Sequence, residues 1–175
     1  SDVVPFHIQT SYTFLNSQFQ GCNNTPVLLK PPIDFACVGQ PFKHNPSAFD
    51  IDKDSLSYHL IVPLQGVNNN VPNYFFPNQI NPSINNNISL NPKTGDLIWN
   101  SPQLEGEYNI AMIIIEYRLG VPIDTMVRDM QIFVQTCDNK PPDIVSPDEI
   151  CVVAGEKISI NVTSTDPDVP FIQKI

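Results

Sequence analysis

Positive charge and glycine are both scarce in this chain of 175 residues. It has 9 Lys and Arg against 18 Asp and Glu, a formal net charge of −9, and 7 glycines against 18 prolines. Proline removes a backbone donor and clashes inside a helix, so strands joined by proline-rich turns are favoured over helices. An acidic chain without a basic patch repels phosphate backbones, which argues against nucleic acid as a partner.

Long apolar runs and catalytic motifs are also missing. No apolar stretch reaches the length of about 18 residues that a membrane helix requires, so we predict no membrane insertion. His7, His44 and His59 stand in neither a His-Glu-x-x-His pattern nor beside a glycine-flanked serine. The cysteines lack the close Cys-x-x-Cys spacing of zinc sites. We therefore assign no catalytic residue and predict that the chain is not an enzyme.

One segment of the chain recurs. Cys22 and Cys37 have counterparts in Cys137 and Cys151, at offsets of 137 − 22 = 115 and 151 − 37 = 114. Asp50-Ile51-Asp52 returns as Asp166-Pro167-Asp168, at an offset of 166 − 50 = 116. Self-similarity at a fixed period indicates tandem domains. We predict the tail of a preceding repeat in residues 1–22, a complete repeat in 23–137 and the start of the next in 138–175, as an excerpt from a longer protein.

Strand signals are dense within this repeat. Leu56–Val62 alternates in polarity, and Tyr108–Tyr117 with Thr125–Gln135 is the strongest hairpin pattern because both runs are rich in β-branched residues. The lone Trp99 is expected to pack in the core or at a sheet edge, since apolar and polar residues alternate around it, and a ligand platform is the alternative. About seven short strands in one repeat are typical of an immunoglobulin- or cadherin-like β-sandwich. The predicted fold class is therefore all-β.

The four cysteines occupy corresponding positions of the repeat. We predict the pairs Cys22–Cys37 and Cys137–Cys151, because this connectivity recurs with the domain. A bridge closing a loop of about 15 residues stabilises by roughly 3 kcal/mol and implies an oxidising compartment. Four buried free thiols in a cytosolic protein are the alternative.

Three aspartates, Asp50, Asp52 and Asp54, stand at alternate positions. Oxygen ligands at this spacing can converge where the chain curls, which suits a hard cation such as Ca²⁺. An EF-hand loop is excluded, because its glycine and glutamate positions are taken by Ser55 and Ile61. A solvated acidic turn is the alternative.

A stretch rich in asparagine and proline, residues 67–82, predicts a long loop. Its aromatic residues Tyr74, Phe75 and Phe76 are expected to pin the loop to the domain. The alternative function is that of a carbohydrate-binding module in which these rings stack on sugars. Solvent exposure discriminates between the two, because a binding platform needs exposed rings.

Two motifs resemble those of cadherin-like repeats. These are the linker Asp138-Asn139-Lys140-Pro141 and the Asp-x-Asp pair Asp166 and Asp168; the turn and strand 90–98 and the strand 106–110 are similar as well. The resemblance implies calcium clamped at the junction between domains. The implied ligands are Asp138, Asn139, Asp166 and Asp168, with Glu105 or Glu107 and Glu116 from the preceding domain. The chain departs from the family at Ser101–Glu105, where the family has Leu-Asp-Arg-Glu, and in having one linker aspartate instead of two.

A closer resemblance covers nearly the whole chain. Residues 32–42, 44–50, 95–99 and 127–132 resemble the repeats of gliding-motility-associated bacterial surface proteins, which are exported by the type IX route. The resemblance implies a cell-surface or secreted location. We therefore predict a non-catalytic structural or adhesion module of a large exported protein. Its expected partners are neighbouring repeats of the same chain and surface glycans or proteins.

Overall fold

The computed structural model describes residues 7–13, 21–138, 140, 142–147 and 149–168. By its internal contacts the chain divides into two compact units, residues 1–136 and 137–175. Strands dominate, which confirms the predicted all-β class. In the described ranges no helix is long and apolar enough to cross a membrane.

The elements follow in chain order. They are β1 (Thr10–Tyr12), β2 (Val27–Leu28), β3 (Ile33–Cys37), β4 (Phe42–His44), β5 (Ala48–Phe49), β6 (Ser55–Ile61), β7 (Leu64–Gly66), β8 (Asn69–Asn70), the one-turn helix α1 (Pro77–Ile80), β9 (Asn87–Leu90), β10 (Leu97–Asn100), β11 (Gly106–Arg118), β12 (Val121–Gln135), β13 (Asp143–Val145) and β14 (Thr163–Thr165).

The largest sheet has the order β1-β12-β11-β6, and β3 runs parallel to the C-terminal part of β12. The hairpin β11–β12 confirms the predicted one and is longer, with paired residues from Gly106 and Val134 to Arg118 and Val121. Its turn residues Leu119 and Gly120 have φ of 53° and 79°. Two successive left-handed residues form the turn type that matches the twist of a two-residue hairpin.

A second sheet has the order β4-β10-β9, and its inward side chains share one hydrophobic core with those of the large sheet. On β10, Leu97 and Trp99 are 0% and 1% exposed, so Trp99 lies in the core, one of the two predicted positions. The Trp99 ring meets Tyr108 edge to face, at a centroid distance of 5.0 Å. On β11 every second residue from Tyr108 to Ile114 points into this core.

The turn before β10 requires a glycine. Gly95 has φ of +75°, and a Cβ there would lie 2.8 Å from Cε1 of the buried Tyr58 ring. The Asn91 side chain closes the turn by accepting from the Lys93 backbone N–H at 2.9 Å. A tight turn at residues 91–95 therefore precedes β10 and packs against the core.

The observed disulfide joins Cys37 to Cys137, so the predicted pairs Cys22–Cys37 and Cys137–Cys151 are wrong. Cys22 and Cys151 are free and exposed. The physical reason is the parallel pairing of β3 with β12, in which Cys37 is the register partner of Gln135. Two parallel strands end on the same side of a sheet, so Cys137, two residues past β12, meets Cys37 there.

A structural repeat accompanies the sequence repeat. In the first unit β2 pairs antiparallel with β5, Val27 opposite Phe49. In the second unit β13 pairs antiparallel with β14, Asp143 opposite Thr165, and both offsets equal 116 (143 − 27 and 165 − 49). A hydrogen bond recurs at the same offset: the backbone N–H of Asn24 donates to Asp52, and that of Lys140 donates to Asp168.

The N-terminal strand belongs to the large sheet of the first unit. In β1, Thr10, Ser11 and Tyr12 pair with residues 126, 125 and 124 of β12, and the Val127 N–H donates to the Gln9 carbonyl at 2.8 Å. These residues therefore belong to the first compact unit, and the predicted repeat boundary at residue 22 stays a prediction.

Candidate functional site

A cluster of carboxylates lies at one end of the first unit. Asp50, Asp54 and Glu116 each present an oxygen, and these oxygens all lie within 4.8 Å of one another. We call these three residues the acidic cluster. Asp50 precedes a turn, Asp54 precedes β6, and Glu116 lies near the end of β11.

The alternation of β11 places Glu116 inside the protein. It continues the inward series of Ile110, Met112 and Ile114, and it is only 1% exposed. Its register partner on β12 is Asp124, which is 2% exposed. Directly opposed residues of an antiparallel pair have Cβ atoms about 5 Å apart, so two buried acids face each other.

The Asp50 side chain shapes the turn that brings Asp54 to the cluster. Asp50 is 7% exposed, and its Oδ1 accepts from the Asp54 backbone N–H at 2.9 Å. Its backbone carbonyl accepts from Lys53, which has φ of 65°. The predicted curl of the alternating aspartates is therefore present at Asp50 and Asp54.

Arg118 is the cation beside this cluster. It forms an ion pair with Asp54, to which its Nε donates at 3.0 Å. It also donates to Asn23 Oδ1 at 2.6 Å and to the Cys22 carbonyl at 3.1 Å. Arg118 thus ties the segment before β2 to the acidic end of the domain.

The protonation behaviour of the two acids differs because their surroundings differ. Burial raises the pKa of Glu116 to about 7, and the neighbouring carboxylates Asp54 and Asp50 act in the same direction. The hydrogen bond from Arg118 holds the pKa of Asp54 below its ordinary value. The ionised form of Asp54 is therefore favoured, whereas the ionised form of Glu116 is disfavoured.

Three buried carboxylate oxygens at this end have no hydrogen-bond partner among the described residues: Asp50 Oδ2, Glu116 Oε1 and Asp124 Oδ2. In each residue the other oxygen is engaged. Asn23 donates to Glu116 Oε2 at 3.2 Å, and the Thr125 N–H donates to Asp124 Oδ1 at 2.6 Å. A buried polar atom without a partner costs free energy, so these oxygens mark a place where a cation or proton would bind.

The acidic cluster differs from the predicted set of alternating aspartates. Of the three alternating aspartates, Asp52 lies outside the acidic cluster; its Oδ2 accepts from the Asn24 N–H at 2.7 Å and lies 3.8 Å from Arg118 Nη2. Glu116 enters the cluster instead. Asp124 was missed by the sequence reasoning, although its strand position opposite an inward residue would have indicated it once the register was known.

Glu116 cannot share one ion with Glu105 or Glu107, so that part of the predicted junction set is wrong. Glu107 and Glu116 are nine positions apart on β11, which corresponds to about 30 Å of extended strand. Glu105 accepts from the Thr136 N–H at 2.7 Å, which lowers its pKa, and Glu107 accepts from Gln131 at 3.1 Å. Both glutamates are exposed.

In the second unit, the Asp168 carboxylate accepts from the Lys140 N–H and its own N–H donates to Asp166 Oδ1 at 2.9 Å. Asp138 is described and largely accessible, whereas Asn139 lies outside the described residues. A calcium site at the junction formed by these four residues stays a prediction.

The aromatic residues of the long loop are mostly tied down. The Tyr74 hydroxyl donates to the Asn109 carbonyl at 2.7 Å, and its ring meets Phe76 edge to face at 5.2 Å. Phe75 alone of the three is exposed, at 62%. The loop also contains β8 and α1. Two of the three rings therefore pin the loop, and one faces solvent.

A buried acid lies under this loop on the outer face of the large sheet. Asp129, opposite Ala111, is 4% exposed, and its Oδ1 has no partner in the described part of the chain. Burial raises the pKa of Asp129 to about 6, against which a hydrogen bond from Asn109 acts. Burial and then the charge of Asp129 raise the pKa of Tyr74.

We expect Asp129→Asn to stabilise the protein at pH 8. A carboxyl whose pKa is raised in the folded state contributes stability below its unfolded pKa of about 4, and this is lost as pH rises through about 6. The variant should therefore unfold at higher urea than the wild type at pH 8, by at most about 2–3 kcal/mol, and the gain should shrink toward zero at pH 4. Trp99 fluorescence reports the transition, and exposed Glu107→Gln is the matched control. An equal difference at both pH values would contradict the assignment.

Among the described residues, His44 is the histidine that is buried and paired with an acid. Its Nδ1 lies 2.8 Å from Asp34 Oδ2, and its side chain is 4% exposed. Its Nε2 is buried and has no partner among the described residues. A histidine that activates a serine nucleophile would be hydrogen-bonded to the serine hydroxyl, and His44 Nε2 has no such contact among these residues. The pair fastens β4 to β3.

No family model and no curated protein matches the chain. Among solved structures, a nucleoside hydrolase-related hypothetical protein from Saccharophagus degradans, described as associated with carbohydrate metabolism, is similar at 18% identity and a TM-score of 0.42. The match covers 69% of this chain and 28% of that chain. At this TM-score the similarity supports no argument about function.

Proposed function

We propose that the chain is a non-catalytic structural and adhesive module of a tandem array in an exported protein. One observation carries this proposal: the strand pair β2–β5 and the hydrogen bond from Asn24 to Asp52 recur as β13–β14 and the bond from Lys140 to Asp168, 116 residues later. Recurrence of both sequence and local structure at a fixed period is the mark of serial like domains.

The complete unit is, in this proposal, an immunoglobulin- or cadherin-like β-sandwich. The large sheet and the sheet β4-β10-β9 both contribute inward side chains to a single core, as the two layers of a sandwich do. Asn23 at the beginning of the repeat accepts from Arg118, and Thr136 at its end donates to Glu105, so the beginning and the end of the domain lie at opposite ends of β11. Such a unit can be linked in series.

The disulfide gives this unit a mechanical property. The segment between Cys37 and Cys137 contains 99 residues (137 − 37 − 1), among them every strand from β4 to β12. Tension applied to the two ends of the chain passes through the covalent bond and not through the enclosed strands. A bond of this kind persists in oxidising compartments, which fits a protein exported from the cell.

Single-molecule stretching of the chain between two marker domains tests the mechanical role. In the oxidised chain we expect the 99 enclosed residues to contribute no extension. Reduction before pulling should add one unfolding event with a contour-length gain of about 36 nm, because 100 peptide steps extend by about 3.6 Å each. The free thiol of Cys22 offers a matched control: Cys22→Ser should leave both traces unchanged.

Identical extension before and after reduction would overturn the proposal, because the disulfide would then not limit how far the domain extends. A chain that unfolds without a measurable force peak after reduction would also contradict it. A load-bearing spacer needs a sandwich that resists extension by itself, with the disulfide as the final limit.

A further inference from the structure

We infer that Asp50, Asp54 and Glu116 bind a divalent cation of the calcium type within the first unit. This site goes beyond the proposed structural function, which requires no metal. It also differs from the predicted junction site, since all three residues belong to one compact unit and none to the linker at 138–140.

The distances between the carboxylate oxygens of the acidic cluster are the first support for the inference. The ligand oxygens of the acidic cluster lie within 4.8 Å of one another. Ca²⁺ takes oxygen ligands at about 2.3–2.6 Å, so two ligands on opposite sides of the ion are about 5 Å apart. One ion can therefore touch all three carboxylates without rearrangement of the backbone. Mg²⁺, at about 2.0–2.1 Å and with strict octahedral geometry, would require a tighter cluster.

Burial supplies the second and independent observation. Asp50 and Glu116 are 7% and 1% exposed, and each has one oxygen, Oδ2 and Oε1 respectively, without a hydrogen-bond partner among the described residues. Their other oxygens are held by the Asp54 N–H and by Asn23. The held oxygens fix the carboxylates in place while the free ones remain available. Asp124 Oδ2 is also buried and has no hydrogen-bond partner among the described residues, and Asp124 is the register partner of Glu116.

Charge balance points the same way. Asp50, Asp54, Glu116 and Asp124 together carry four negative charges when ionised, and Arg118, paired with Asp54, supplies one positive charge. Buried charges are tolerated when they are paired or bound to a metal. A divalent ion would bring the sum from −3 to −1. A proton on Glu116 is the competing solution, and it neutralises only one charge.

Calcium titration of the full chain tests the site. The protein is stripped with a chelator and titrated with CaCl₂ by calorimetry at pH 8 and moderate salt, with thermal melts in parallel. We expect saturable binding and a rise in melting temperature with Ca²⁺, and a smaller effect with Mg²⁺. Glu116→Gln should weaken Ca²⁺ binding at least tenfold, and Asp50→Asn should do the same. Glu107→Gln, an exposed glutamate on the same strand, should bind as the wild type does.

The effect of each variant is read as the calcium-dependent shift, so a change in basal stability does not obscure it. Absence of saturable heat and of a thermal shift in the wild type would overturn the inference. Equal affinity in Glu116→Gln and the wild type would overturn it as well, since binding would then lie elsewhere. A third outcome would show that the cluster holds a proton and not a cation. In that case the wild type does not respond to Ca²⁺ and loses stability above neutral pH, whereas Glu116→Gln keeps its stability there. None of these outcomes depends on the stretching experiment.

Discussion

Replacing both Cys37 and Cys137 by serine should lower the free energy of unfolding by about 4–5 kcal/mol. In the chain-entropy model the stabilisation grows with the length of the closed loop, and a loop of about 100 residues gives about 4.7 kcal/mol at 25 °C. The predicted local bridges would close loops of about 15 residues and give roughly 3 kcal/mol each. Urea unfolding followed by Trp99 fluorescence measures the effect in the first unit, which contains Cys37, because the single tryptophan of the chain lies there.

The double variant Cys22→Ser with Cys151→Ser is the matched control. Both thiols are free and exposed, so this variant should unfold within about 0.5 kcal/mol of the wild type. Peptide mapping without reductant provides a second measurement, in which the peptide of Cys37 should be linked to that of Cys137. A comparable loss in both double variants, or a peptide joining Cys22 to Cys37, would contradict the observed connectivity.

The disulfide connectivity could not be predicted from the sequence repeat. Recurrence of the cysteines indicated correctly that they belong to the domain architecture. A bridge within the first loop of a repeat and a bridge between the beginning and end of a repeat recur with the same period, however, so periodicity does not distinguish them. The deciding fact is the parallel register of Cys37 beside Gln135, which arises from tertiary pairing between strands about 100 residues apart.

The strands were more accessible to prediction. Proline content, alternation and β-branched runs identified the all-β class and the hairpin β11–β12, because these signals act over a few neighbouring residues. Trp99 was predicted to pack in the core or at a sheet edge for the same reason, and it lies in the core. The long loop was recognised, but its short strands and the helix α1 have no strong local signal and depend on packing against the domain.

The acidic cluster was predictable from the sequence only in part. Alternating spacing identified Asp50 and Asp54, since both come from one local turn. Glu116 was assigned to the wrong set of ligands because resemblance suggested a junction, although its position two residues after Ile114 continues the inward series of β11. Strand periodicity alone would have predicted a buried carboxylate at Glu116. Only the register of β11 with β12 adds Asp124.

Replacing Trp99 by alanine should destabilise the first unit by about 3–5 kcal/mol. The side chain is 1% exposed between the two sheets, so its removal leaves a large cavity in addition to the lost burial of apolar surface. The substitution also removes a donor. Trp99 Nε1 donates to Asn86 Oδ1 at 2.6 Å, and Asn86, 3% exposed, donates in turn to the Asn81 carbonyl at 2.7 Å.

Trp99→Phe separates the two contributions, because phenylalanine retains an aromatic ring but no N–H. We expect this variant to lose less stability than Trp99→Ala and to leave Asn86 Oδ1 buried without a donor, at a cost of about 1–3 kcal/mol. Asn86 holds the end of the long loop, so limited proteolysis should cut residues 67–86 faster in both variants than in the wild type. Far-UV circular dichroism in urea measures stability without the tryptophan signal. A loss below about 1 kcal/mol in Trp99→Ala, or unchanged cleavage of the loop, would mean that the indole neither fills the core nor anchors the loop through Asn86.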